Sequence, residues 1–206
     1  MQESDDISTS TPLDGWLAEL GRPHGAPGGG AAAGVMLGIA ASLLRMVAEY
    51  TPDDDRAARC GERLADVRAE ALAAVEADGV SSAGFGAALA LPADDPDRDA
   101  RVRDAAVDAA VSSVRLGDVG IRLIPEIRLL ADIGNPHLTA DLAVASEALR
   151  AGISGAIINL RSNVRVAQKH EGSPAEVSAL LESAARMTAA RDEVAGIAVD
   201  LSGDDG

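Results

Sequence analysis

Aromatic side chains are almost missing: Trp16, Tyr50 and Phe85 are the only three in 206 residues. A core must then be packed from Ala, Leu, Val and Ile, whose small side chains let helices approach closely. Sheets draw on β-branched and aromatic residues, so the same scarcity argues against a β fold. It also leaves almost no surface on which nucleic-acid bases would stack. Positive charge is scarce as well. The chain sets 33 acidic residues against 18 basic ones, a net charge of −15, and Lys169 is its sole lysine. A field of that sign repels a phosphate backbone, and no nucleic-acid partner is expected. Cys60 is the only cysteine, which excludes an intramolecular disulfide and a thiolate metal cluster. No metal site is expected, and a reducing, cytoplasmic setting suits the chain. The opening residues, MQESDDISTSTP, are acidic and polar and do not read as a signal peptide. The longest uncharged run, Gly25 to Leu44, is nominally long enough to span a bilayer. It opens with Gly and Pro and is rich in Gly and Ala, so no membrane role is expected.

What remains is helical. Residues 1–10 and 202–206 read as disordered tails around a single domain, 11–201. Leu13, Trp16, Leu17 and Leu20 lie at helical spacing over about 12–20. Gly21 to Gly30 is dense in chain breakers. A helix follows from about Gly29 to Tyr50, in which Gly30, Gly34, Gly38 and Ser42 form a strip of minimal side chains. Glycine costs about 1 kcal/mol in a helix interior, so that strip calls for close packing or ligand approach. Thr51-Pro52-Asp53 reads as a helix start, with the helix running to about Asp78 and a second over Val80 to Leu91. Two more run from about Asp97 to Leu116 and on to about Leu130, with Pro125 starting or kinking the second. Over 136–168, Leu138, Leu142, Ala145, Leu149, Ile153, Ala156, Leu160, Val164 and Ala167 recur at intervals of 3 or 4, an α-helical stripe. Ser173 and Glu176 form a capping-box pattern before a last helix, about 174–200. The expected fold is all-α: an up-and-down-like bundle of six to eight helices.

Three segments are not demanded by packing. Pro27-Gly28-Gly29-Gly30 opens a helix, where bare N–H groups and the helix dipole favour anions or oxyanions. No Gly-Lys-Ser/Thr follows, so it is not a nucleotide P-loop; a loop without a ligand explains it equally well. Gly134-Asn135-Pro136-His137-Leu138-Thr139-Ala140-Asp141 enters the long helix. Asn135 and Asp141 are site candidates there, with capping as the plain alternative. Asn159 and Asn163 lie one turn apart beside the apolar stripe, as a helix–helix polar contact or as a ligand site. Asp141 and Asn159 are 18 residues apart, five whole turns, and face the same way about 27 Å from each other. One small ligand cannot touch both within one subunit. Either an antiparallel copy across a two-fold axis brings them together, or the helix hinges at Gly152 or Gly155. His24 and His137 adjoin these segments and read mainly as loop residues. His170 reads as a cation at a helix end. Cys60 reads as a small apolar side chain.

In this order and spacing the segments resemble the cyclodeaminase/cyclohydrolase family. It comprises the C-terminal domain of formiminotransferase-cyclodeaminase and the bacterial methenyltetrahydrofolate cyclohydrolases. The family's Pro-Gly-Gly-Gly-Ser is matched by Pro27 to Ala31, and its middle Asp before Leu-Pro-Lys by Asp78, Leu91 and Pro92. Its Gly-Asn and Ser-Asp-Leu are matched by Gly134-Asn135 and Ala140-Asp141-Leu142. Its Gly-Ala-x-x-Asn-x-x-x-Asn is matched by Gly155, Ala156, Asn159 and Asn163. The likeness covers about residues 13–195. Ala31, Ala140 and Ala93 replace two serines and a lysine, and Ser82 stands where an aromatic is usual. The resemblance implies a homodimer associating through long helices, with a folate bound between helices or subunits. It implies hydrolysis of 5,10-methenyltetrahydrofolate to 10-formyltetrahydrofolate, or cyclisation of 5-formiminotetrahydrofolate with loss of ammonia. Such chemistry needs proton transfer and no permanent cofactor. Asp78 and Asp141 would carry it. Asn135, Asn159 and Asn163 would orient the pterin or its formyl group, and the glycine loop would meet a polar part of the substrate. Arg22, Arg161 and Arg165 are the cations nearest the motifs for the glutamate tail. No formiminotransferase region accompanies these motifs, which tilts the expectation toward the cyclohydrolase. The three alanines leave an alternative: a degenerate, non-catalytic helical dimer that binds a folate-like ligand or a partner protein.

Overall fold

The computed structural model describes residues 9–23 and 26–203, and among them every regular element is helical. The order is α1 (Leu13–Leu20), α2 (Gly29–Glu49), α3 (Asp55–Leu89), α4 (Arg98–Ile133), a short 3-10 turn (Pro136–Leu138), α5 (Thr139–Lys169) and α6 (Pro174–Ser202). The long helices run up and down. α2 packs between α3 and α5, and α4 packs opposite it against the same two, closing a four-helix ring. α6 lies along α5 and α4.

The apolar stripe of α5 is the axis of the core. Leu142, Ala145, Leu149, Ile153, Ala156, Leu160, Val164 and Ala167 are all buried, facing Leu37 and Leu44 of α2 and Leu116, Leu123 and Ile127 of α4. The small side chains of α2 set its distance from its neighbours. A methyl group on Gly34 would overlap Val75 of α3 and crowd Leu116 of α4. Gly152 and Gly155 of α5 lie against Leu37 and Ala33. α2 is long and apolar enough to cross a membrane, but 56% of its most apolar window is buried inside the fold.

Several expected boundaries differ. Thr51-Pro52-Asp53 does not start α3; Asp54 caps it instead, its carboxylate accepting from the Arg56 N–H at 2.8 Å. Thr51 belongs to the preceding turn, its hydroxyl donating to the Val47 carbonyl. The expected break near Gly79 is absent. α3 is one helix of 35 residues, about 52 Å long, and it overshoots the start of α2. The two helices expected over 97–130 are likewise one, α4. It passes through Pro125, which removes a backbone donor, because Leu123, Ile124 and Ile127 around it are locked in the core. Gly117 and Gly120 in the same helix are contact points for Met187 and Ile153. The capping box at Ser173 does not form. Pro174 sets the first turn, and the Ser173 carbonyl, not its hydroxyl, accepts from the Val177 N–H. Thr9, placed in the N-terminal tail by sequence, is anchored to α3 by its N–H and hydroxyl on the Glu76 carboxylate.

Candidate functional site

The N-terminus of α2 is where three helices deliver polar groups to one place. Pro27 is buried and Gly28 is extended, and its carbonyl takes the Ala32 N–H to begin the helix. Gly30 is pressed against the Asp78 carboxylate of α3 so closely that a methyl group there would overlap it. Gly29 is solvent-exposed, and a methyl group on it would stand 3.6 Å from the Asn159 side-chain oxygen of α5. The floor is thus backbone alone, with a carboxylic acid on one side and an amide on the other.

Asp78 is only 6% exposed. The Ser112 hydroxyl of α4 donates to its carboxylate at 3.1 Å, and Ser82, one turn along α3, bonds it too. Burial pushes its pKa above the ordinary carboxylate value, and the two hydroxyls oppose that without cancelling it. Desolvation penalises the charged form, so this acid keeps its proton to a higher pH than a surface aspartate does. A carboxyl group so placed can both take and return a proton.

The structure brings Pro27, Gly28, Gly29, Gly30, Asp78 and Asn159 together, with Asn163 one turn further along α5. It puts Asp141 and Asn135 at the other end of the ring. α5 is unbroken through Gly152 and Gly155, so no hinge folds Asp141 back toward Asn159. Asn135 is engaged as a cap. Its side-chain oxygen accepts from the His137 N–H at 3.0 Å, its amide donates to the Tyr50 carbonyl, and its backbone N–H reaches the Thr51 hydroxyl. A cleft of about 390 Å³ with a mixed lining lies beside it, walled by Val47, Leu130 and Leu142 and by the polar Asp132 and Thr139 among others. Arg22 pairs with Glu19 at 2.8 Å, and Arg161 donates to the Thr188 hydroxyl of α6. Arg165 and His137 are exposed, and His24 lies outside the described residues. His170 meets Asp99 across 2.8 Å. Cys60 is sealed in the core and its thiol is pushed up to about 12 by burial and by Glu126. Among the described residues no three His, Cys, Asp or Glu side chains converge as a metal ion requires.

Residues 12–173 match the family model described as formiminotransferase-cyclodeaminase. The chain belongs to this family. It is 30% identical to the mouse formimidoyltransferase-cyclodeaminase over 166 residues, covering 75% of this chain and 31% of the relative. The rat protein of that name is 29% identical over 164 residues, covering 74% and 30%. The chain therefore spans about a third of the length of these curated relatives. Its fold is that of the formiminotetrahydrofolate cyclodeaminase from Thermotoga maritima, with a TM-score of 0.81 at 20% identity, covering 93% of this chain and 96% of that one.

Against the family pattern, the three alanines have different surroundings. Ala31 is buried between Trp16 and Val75, whereas Ala93 and Ala140 are exposed in the α3–α4 connection and the first turn of α5. The two hydroxyls at Asp78 were not read from the sequence as its partners, Ser82 being noted only as a departure from the family pattern. Ser82 was findable as the hydroxyl one turn from a candidate acid. Ser112 comes from another helix and carries no local signal.

Proposed function

We propose that the protein is a folate one-carbon enzyme that works at a carbon flanked by two tetrahydrofolate nitrogens. It acts as a methenyltetrahydrofolate cyclohydrolase or a formiminotetrahydrofolate cyclodeaminase. The observation that carries this reading is Asp78: a buried carboxyl group, with no cation paired to it among the described residues, held by two hydroxyls against the bare Gly30 backbone. In hydrolysis, water forms a C–O bond to the methenyl carbon while its proton passes to the Asp78 carboxylate. The tetrahedral carbon then expels one nitrogen, which takes that proton back, and the remaining hydroxyl proton is lost to solvent as the formyl C=O forms. In cyclisation, the second folate nitrogen attacks the formimino carbon, and Asp78 delivers a proton to the amine that leaves as ammonia. The same acid serves both because each reaction adds a nucleophile and expels a nitrogen through one kind of tetrahedral intermediate. Asn159 is placed to hold a carbonyl or amide edge of the ligand, with the Gly28–Gly30 N–H groups on the other side.

We further propose a homodimer. Asp141 and Asn159 face the same way, five turns apart on an unbroken helix, so an antiparallel copy across a two-fold axis would set the partner's Asp141 near Asn159. Val144 and Ile158, 58% and 65% exposed on α5, and Ile39 on α2 give that contact an apolar face.

The test is spectrophotometric. Purified protein is offered 5,10-methenyltetrahydrofolate and, separately, 5-formiminotetrahydrofolate. Faster decay of the methenyl absorbance than in buffer identifies the cyclohydrolase. Its appearance from the formimino compound identifies the cyclodeaminase. Neither change, with the protein folded, rejects the enzymatic reading and leaves the non-catalytic binder.

A further inference from the structure

Trp16 is the one buried residue of α1, at 4% exposure, while Leu13 and Leu17 on the same helix are 67% and 52% exposed. The indole packs on Ala31 of α2 and Val75 of α3, with Leu20 and Val35 at its edges. Its Nε1–H is buried and has no hydrogen-bond partner among the described residues. Buried indole donors ordinarily find one, and phenylalanine would fill this apolar niche without stranding a donor. The position is informative. Ala31 directly follows Gly30, which touches the Asp78 carboxylate, and Val75 lies one turn before Asp78 on α3. The indole therefore packs on the immediate neighbours of the contact between Gly30 and the Asp78 carboxylate.

We propose that the Trp16 indole N–H is a ligand-binding donor, pairing with a ring carbonyl or ring nitrogen of the flat heteroaromatic part of the substrate. This rests on the folate reading above, which supplies such an acceptor. The single donor then selects an acceptor-edged ring system. Trp16 holds it beside Asp78 and takes no part in proton transfer.

Trp16 is the only tryptophan, so the protein gives one indole cross-peak in a nitrogen–proton correlation spectrum. The experiment titrates 5-formyltetrahydrofolate into wild type and Trp16→Phe, reading that cross-peak for wild type and affinity by calorimetry for both. The expected results are a downfield shift of the wild-type indole proton at saturation and a loss of affinity of roughly three- to tenfold in Trp16→Phe, the worth of one hydrogen bond. The free variant should melt no lower than wild type, whereas a packing role alone predicts a lower melting point and unchanged affinity. A wild type that binds the ligand with its indole resonance unmoved, or with affinity equal to that of Trp16→Phe, overturns the assignment and leaves the folate reading standing. A wild type that binds no folate overturns both. Should Trp16→Phe not fold, the wild-type resonance decides.

Discussion

Asp78 is charged at a cost. Its raised pKa means that, between the ordinary carboxylate value and its own, the folded chain keeps a proton that the unfolded chain has lost. Stability therefore falls as pH rises through that window, and the loss is complete above the raised value. Asp78→Asn removes the penalty while keeping atoms that the two serines can bond. The variant should gain about 0.5–2 kcal/mol at neutral pH, the usual size of gains at sites strained for function. Denaturant midpoints near pH 4 and pH 8 check this, since the gain should shrink at the acid end. Gly30→Ala is the steric counterpart. The added methyl occupies the carboxylate's place, so activity should fall by about 10²-fold or more, the scale of a displaced general acid; near-wild-type turnover in that variant would show that the contact is idle. At this scale the sequence singled out the glycines and Asn159 as candidates because each breaks a local rule, glycine inside a helix or a polar group beside an apolar stripe, whereas Asp78 entered only through the likeness to the family pattern. It did not disclose Ser112 or the unpaired indole of Trp16, since both depend on which helices become neighbours.

Among the elements, α3 and α4 are joined away from the site by a polar link. Arg63 donates twice to Glu126, at 2.7 and 2.6 Å, beside Cys60. Burial works to raise the Glu126 pKa, but Arg63 and Cys60 outweigh it and hold the carboxyl below its ordinary value. That stabilisation is present above the ordinary glutamate pKa and is lost as pH falls through the lowered one, opposite in sense to Asp78. Glu126→Gln should lower stability by about 1–3 kcal/mol, with turnover per folded molecule unchanged. Thermal melts beside the activity assay separate the two effects. Helix identity and the α5 stripe were legible because a period of 3.6 residues repeats over many turns. Helix ends were less so. Gly79 and Pro125 are breakers by local chemistry, yet α3 and α4 run straight on, around Pro125 because Leu123, Ile124 and Ile127 are buried in the core. Asn135 illustrates the same limit for function: its motif resembles a site, and within this chain its amide is spent on capping and on Tyr50.

For the whole molecule, the fold was legible in composition, since a chain with three aromatics and abundant Ala and Leu has helices as its dense packing. The proposed pairing of subunits rests on a puzzle in the sequence, the 18-residue spacing of Asp141 and Asn159 on one face of α5. If the partner's Asp141 completes each site, Asp78→Asn and Asp141→Asn should be inactive alone. Mixed and allowed to exchange, they should recover about a quarter of wild-type activity, because half the dimers are mixed and each holds one intact site. No recovery from a mixture that demonstrably exchanges subunits would confine each site to one chain. The central claim, that Asp78 moves the proton in folate chemistry, is tested most directly by the methenyltetrahydrofolate and formiminotetrahydrofolate assays on wild type and Asp78→Asn at equal folded concentration. One reaction should be accelerated by wild type and slowed about 10²- to 10⁴-fold in the variant. An accelerated reaction that survives Asp78→Asn undiminished would contradict the claim.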